Sequence, residues 1–266
     1  MIHPTAVVHP GAQIDPTVSV GPCAVIDEHV ILGAHCVVGP HVHLTGHLTA
    51  GAHNQFHSGC VIGGPPQDLR YKDEPTRVRI GDSNVFRENM TVNRSNKIEE
   101  DTVIGSHCFL MADSHVGHNS VLADHVIMAN GTLLAGHVTV GDRVFFSGNA
   151  MVHQFGRVGR LALLQGGAAA TRDVPPYCIA RGYGGIAGLN VVGLRRAGFT
   201  SEQRLELRRL YHLIFRSRQR LAVALEQARA EFSSENARLL IDFASTSKRG
   251  MCSDAGSRNA PAEADA

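Results

Sequence analysis

With 266 residues, 43% of them hydrophobic, the chain is long enough to bury a core and too apolar to be disordered. Its 25 basic and 24 acidic residues nearly cancel, so no overall field draws it to nucleic acid or to an anionic membrane. No apolar run approaches the roughly 18 residues of a membrane span, and no basic segment followed by an apolar one stands at the start. The expectation is a cytoplasmic protein without an integral membrane segment. Six scattered cysteines, Cys23, Cys36, Cys60, Cys108, Cys178 and Cys252, form no CxxC pair and are expected to be buried thiols.

Counting by sixes from Val8 gives Ile14, Val20, Ile26, Leu32, Val38, Leu44, Ala50, Phe56 and Ile62. The same frame resumes at Ile80 and passes through Phe86, Val92, Ile98, Ile104 and Leu110 to Ala170, broken only at Asp68 and Glu74. A helix of 3.6 residues per turn cannot keep a six-residue repeat on one face. A smaller residue two places earlier, as at Ala6, Ala12 and Val18, suits a short strand with alternate side chains inward, and the Gly, Asp, Asn or His that follows suits a corner. Each hexad is then one flat side of a prism. The pattern resembles the hexapeptide-repeat family, which implies a left-handed parallel β-helix with three hexads, or 18 residues, per coil.

The segment GGPPQDLRYKDEPTR interrupts the hexads with charge and three prolines, and it predicts a loop projecting over 64–77. The hexads stop after Asp173-Val174-Pro175-Pro176-Tyr177, which places a β-helix domain at 1–189 and a small C-terminal α-helical domain at 190–250. Thr200 with Gln203 three residues on is a capping-box signature, followed by an apolar face that includes Leu205, Leu207, Leu210 and Ile214. Further helices are expected at about 218–232 and 235–245. The final stretch, 251–266, is small, polar and Pro-containing and reads as a disordered tail.

At 18 residues per coil, His118, Gly136 and Gln154 stack in one column at roughly 4.8 Å per step. His115 precedes His118 by three and His137 follows Gly136, so a histidine cluster is expected on one edge. Position alone does not make a histidine functional. His35, His41, His47 and His53 are read as polar corner residues, out of 16 histidines in all. The cluster leaves two chemistries open: a neutral imidazole as general base, or three imidazoles on zinc.

Longer stretches carry a closer resemblance: QDLRYKDEPTRVRIGD (67–82), SHVGHNS (114–120), GTLLAGHVTVGD (131–142), AMVHQFGRVG (150–159), RDVPPYCIARG (172–182) and GLRRAGF (193–199). They are similar to the UDP-N-acetylglucosamine 3-O-acyltransferases of lipid A synthesis. That resemblance implies a homotrimer that takes a fatty acyl group, 3-hydroxylated in the expected donor, from acyl carrier protein to a UDP-sugar, with no cofactor and no metal. It makes His118 the general base, Gly136 the oxyanion-hole donor and Asn119 the partner of the base. Asp68, Arg70, His115, His137, Gln154, Asn190 and Arg196 become substrate-binding positions, and Gly166 the place where the acyl chain ends. Arg195, Arg196, Arg204, Arg208 and Arg209 form a basic cluster suited to docking the acidic carrier protein.

The chain departs from the family pattern at four places. Asn119 stands where an aspartate usually follows the base, Asn93-Arg94-Ser95 with a shorter turn after it replaces a His-Arg-Gly motif, Val192 replaces an acidic residue, and Arg195-Arg196-Ala197 lacks the last arginine of its basic run. Three other readings compete: an N-acyltransferase acting on a 3-amino UDP-sugar, a non-catalytic paralogue that binds acyl carrier protein, and a γ-type carbonic anhydrase. Acyl transfer to hydroxyl and amino acceptors separates the first two from the main reading, and a metal assay separates the third.

Overall fold

The computed structural model describes residues 1–254. Short parallel strands, mostly of two residues, wind into a three-sided prism, and every third strand stacks on the one before in sheets of nine, eight and eleven strands. Val7 pairs with Val25 and His43 with Val61, so a regular coil is 18 residues, as the hexad reading requires. Residues of the counted frame, among them Ile26, Leu44, Phe56, Phe86, Leu110, Leu134 and Phe146, fill the interior. Each such side chain withdrawn from water contributes about 1.5–3 kcal/mol.

The corners follow one rule. Cys23, His35, His41, His53, His107, Asn119, His125 and His137 share one place in the hexad, and all have φ between 55 and 60. A left-handed residue other than glycine costs about 1–2 kcal/mol. The backbone N–H of that residue reaches an oxygen one coil back, either a carbonyl, as His41 N to Pro22 O at 3.1 Å and His137 N to His118 O at 2.8 Å, or a threonine hydroxyl, as for Cys23, His35 and Asn119, which offsets the cost. Two expectations fail here. Cys23 occupies this outward corner and is exposed, so only five of the six thiols are buried. His47 lies inside a strand, His47–Ala50, and not at a corner.

Two coils are longer. Thirty residues separate Val61 from Thr91 and twenty-four separate Thr91 from His115, so the wall releases the chain twice, over 65–76 and over 94–100. The second excursion was hidden from the hexad count because it adds one full hexad. Ile98 keeps the frame yet is 49% exposed. Both excursions leave from one edge of the prism, the edge between the nine-stranded and eight-stranded faces.

The prism does not end at Tyr177. Cys178–Arg181 continues the eleven-stranded face and turns back as an antiparallel hairpin with Gly185–Leu189. Ser253–Asp254 then adds a parallel strand to that hairpin, and Cys252 is buried, so 251–254 belong to the fold and not to a tail. The rest of the expected tail lies outside the described residues. Among the described residues four helices cover this end: α1 (Val191–Arg196), α2 (Ser201–Arg216), α3 (Leu221–Glu231) and α4 (Glu235–Ser245). The Thr200 and Gln203 capping box is present. Helix α3 starts three residues later than expected because Arg218 takes a left-handed φ of 62. Buried Asp173 ties the two parts together, accepting Arg157 Nε at 3.0 Å and Ser247 Oγ at 2.8 Å, while Arg157 Nη2 donates to Phe243 O at 2.6 Å.

Candidate active site

A cleft of about 1030 Å³ runs along the edge that carries both excursions, and it gathers Asp68, Arg70, His115, His118, Gly136 and Gln154. His118, Gly136 and Gln154 stack there because their strands pair His115 with Leu133 and Leu133 with Met151. His137 stands behind the column, edge-on to His118 at 5.1 Å between ring centroids and stacked on Phe155 at 4.7 Å.

The tautomer of His118 can be read from its neighbours. Its Nδ1 lies 2.8 Å from Asn119 Oδ1. The Asn119 amide has one orientation only. Its Nδ2 donates to Glu100 Oε2 at 2.8 Å and to Ser95 Oγ at 2.7 Å, while Oδ1 accepts the backbone N–H of Asn96 at 3.0 Å. A carboxylate accepts and a backbone N–H donates, so Oδ1 faces His118 and the proton sits on Nδ1. Nε2 is left as an acceptor directed at the cleft, where a Cβ on Gly136 would stand 2.6 Å from it. Glycine at 136 gives the imidazole its room.

The backbone N–H of Gly136 has no partner among the described residues. The place it holds in the hexad is the one that Pro4, Pro10, Pro16, Pro22 and Pro40 occupy in the lower coils. Proline has no N–H to give, so the ladder does not depend on a donor there. At Gly136 that free donor sits beside a basic nitrogen, the arrangement needed to hold a developing oxyanion.

His115 bonds Thr91 Oγ1 through Nδ1 at 2.8 Å, and burial, helped by nearby His118, lowers its pKa below the usual imidazole value. Burial and His118 also lower His137, against the opposing pull of Glu100. Both shifts favour the neutral ring. Asp68 accepts Arg70 N, Nε and Nη2 at 3.0–3.2 Å and Asn96 Nδ2 at 2.8 Å, and these bonds, Arg70 first, hold its carboxyl far below the ordinary carboxylate range. No group of three His, Cys, Asp or Glu among the described residues is arranged to hold a metal ion.

Sequence reading did not find the apolar lane of this cleft. His115, Leu133, Met151 and Ala169 point outward in register on the nine-stranded face, with Leu133 44% and Met151 43% exposed. Their outward place in each hexad was the available signal. Glu100 and Asn96 were not found either, and Ser95 only as part of the departing Asn93-Arg94-Ser95 segment, since the hexad count ran straight through the excursion that brings them in.

Some expected residues do not reach this cleft in one chain. Asn190 is buried as the N-cap of α1, accepting Gly193 N at 3.0 Å and donating to Leu161 O at 3.0 Å. Arg195 and Arg196 are exposed on the last turn of α1. Arg204 folds back on its own helix, with Nη1 donating to Phe199 O, and Arg208 and Arg209 line a separate cleft of about 450 Å³ between helices. Gly166 lies on the other edge of the nine-stranded face, where a Cβ would find only Gly148 O, at 3.6 Å.

Hexads with a base and a free donor on one edge define a hexapeptide-repeat transferase, and residues 101–136 match the family described as bacterial transferase hexapeptide. Residues 173–252 match the second domain of UDP-N-acetylglucosamine O-acyltransferase. Acyl-[acyl-carrier-protein]–UDP-N-acetylglucosamine O-acyltransferases of Anaeromyxobacter sp. strain Fw109-5 and Myxococcus xanthus strain DK1622 are 45% and 46% identical, each over 94% of this chain and 98% of the relative. Among solved structures, LpxA of Acinetobacter baumannii has a TM-score of 0.91 at 36% identity, over 94% of this chain and 98% of that one. The UDP-N-acetylglucosamine acyltransferase of Francisella novicida has a TM-score of 0.93 at 30% identity, over the full length of both chains. This chain belongs to the acyl-[acyl-carrier-protein]–UDP-N-acetylglucosamine O-acyltransferase family, and its fold is the left-handed parallel β-helix of that family.

Proposed function

We propose that the protein transfers a fatty acyl group from acyl carrier protein to the 3-hydroxyl of UDP-N-acetylglucosamine, the first step of lipid A synthesis. The observation that carries this reading is the fixed tautomer of His118, whose acceptor nitrogen lies beside the free N–H of Gly136. His118 Nε2 takes the hydroxyl proton as the sugar oxygen attacks the thioester carbonyl. The N–H of Gly136 holds the oxyanion, a contribution of about 3 kcal/mol for one fixed donor. Collapse breaks the C–S bond, and the imidazolium returns its proton to the departing thiolate.

Asp68 and Arg70 bind the sugar nucleotide over the base, with His115, His137 and Gln154 lining the acceptor and carrier sides. The Leu133 and Met151 lane takes the acyl chain. Gly166 ends it: its φ is not left-handed and a Cβ there would meet only Gly148 O at 3.6 Å, which leaves empty space as the reason for a missing side chain.

The assembly in this proposal is a homotrimer. Val85, Phe109, Ile127, Phe145 and Leu163 point outward in register along the eleven-stranded face, an apolar stripe suited to a second copy. A neighbouring prism would close the open side of the cleft and bring its Asn190 and Arg196 region toward it. The arginines of α1 and α2 dock the acidic carrier protein. No helix among the described residues is long and apolar enough to cross a membrane, and we place the enzyme in the cytoplasm with its carrier-protein donor and no cofactor.

The test is mass spectrometry of products from a panel of acyl carrier protein thioesters and UDP-sugars, with light scattering for the assembly. A 3-O-acylated UDP-N-acetylglucosamine and a trimeric mass are expected. An amide product from a 3-amino sugar alone, or no product, would overturn the assignment. Gly166→Met should shift the preferred donor to shorter chains, each lost buried methylene weakening binding by about 0.8 kcal/mol.

A further inference from the structure

We infer that Glu100 is a positioning residue for this reaction: through the Asn119 amide it sets a negative charge behind His118, in two links where an aspartate at 119 would need one. The inference rests on His118 being the base. Asn119 Nδ2 donates to Glu100 Oε2 at 2.8 Å, and Asn119 Oδ1 meets His118 Nδ1 at 2.8 Å. The same Glu100 oxygen lies 3.6 Å from His137 Nδ1, so one carboxylate meets His137 directly and reaches His118 through the amide. Its other oxygen is held by Lys97 Nζ at 2.7 Å, and Ser95 and Asn96 brace the amide between the two. Lys97, His137 and Asn119 are the polar groups in contact with this carboxylate, and Asp68 on the first excursion acts on His137 from further off.

The link is electrostatic, and no proton leaves Asn119. When His118 takes the hydroxyl proton, the Nδ1–H bond to Oδ1 strengthens, the amide polarises toward Oδ1, and Nδ2–H is steadied by the carboxylate. This restores the charge that an asparagine by itself withholds from an imidazolium. Glu100 stands at the end of the excursion that follows Asn93-Arg94-Ser95, so that excursion brings the charge that Asn119 lacks. The Glu100 side chain is 44% exposed and shares its charge with Lys97. The effect is accordingly moderate.

Glu100→Gln keeps an oxygen for the Asn119 N–H and removes only the charge, whereas Glu100→Ala removes both. In full-length protein, Glu100→Gln should lower kcat by about five- to twentyfold, with KM for donor and acceptor within about twofold, and move the acid limb of the kcat–pH profile to lower pH. Adding Asn119→Asp to Glu100→Gln should recover most of kcat and return the limb. A second readout needs no turnover: with ¹⁵N-labelled histidine, the low-field Nδ1–H resonance of His118, assigned by its loss in His118→Gln, should move upfield in Glu100→Gln. Unchanged kcat, limb and resonance in Glu100→Gln, or a loss confined to KM, would overturn the inference. A parent protein that makes no acylated sugar while the resonance still responds to Glu100→Gln would sink the acyl-transfer reading and leave this link standing.

Discussion

The prism wall and the two excursions that leave it solve different problems at one edge. In the wall every coil repeats the last, and backbone groups of each strand bond the coils above and below, as Gly117 N to Leu134 O at 2.9 Å and Ala135 N to Val152 O at 3.2 Å. The excursions have no ladder. Side chains hold them: Arg94 donates to Tyr71 Oη and Gly63 O at 3.0 Å, Asn93 Nδ2 to Pro65 O at 2.9 Å, and Asn96 joins Asp68 to Asn119. A base and an oxyanion donor need fixed positions, which the wall supplies, and a sugar nucleotide needs groups that reach over it, which a repeat cannot supply.

If that division is right, substitutions in the wall should strike turnover and those in the first excursion should strike binding, with Glu100 of the second excursion acting on turnover because it works through Asn119 of the wall. His118→Ala should lower kcat by about 10²–10⁴ with thermal unfolding unchanged, since the residue is at a corner and not in the core. Transfer at the parent rate would remove His118 as the base. Gly136→Ala puts a Cβ 2.6 Å from His118 Nε2, so the ring must move, and kcat should fall by about ten- to a hundredfold without loss of fold. Asp68→Asn, in the first excursion, should instead raise the acceptor KM by about tenfold and change kcat little. Steady-state kinetics that showed the reverse pattern would erase the distinction.

The smallest effect concerns pH. His115 has a depressed pKa in the folded chain, so below the ordinary imidazole value of 6.5 the unfolded chain takes up a proton that folded His115 resists. Its contribution is complete above pH 6.5 and is lost as pH falls from there through the folded value. In chemical denaturation between pH 6.5 and 5, His115→Gln should lose less stability than the parent, by about 1 kcal/mol or less. Equal slopes would mean that the ring is not held neutral by burial.

Much of this was readable from the chain because a period of six is a local property. It gave the inward residues and, once a coil was taken as 18 residues, the column of His118, Gly136 and Gln154. The same arithmetic concealed Ile98, because an excursion one hexad long leaves the count in phase. The hairpin of 178–189 and the strand at Ser253–Asp254 were missed for a different reason. Their pairing is set by partners up to about 70 residues away, and glycine-rich RGYGG carries no period. Glu100 could not be found from spacing at all, since it meets Asn119 only through the bend of 94–100.

The proline place of the hexad has a wider meaning for how a solenoid can acquire an activity. A backbone hydrogen that the lower coils delete outright is, several coils higher, left without a partner among the described residues, beside His118 at Gly136. The pair of imidazole and free donor therefore requires no rebuilt main chain, only a glycine at that place and an imidazole one storey below. Two exchanges in the wall are enough to silence such an edge, whereas moving it to another coil requires the excursions to move with it.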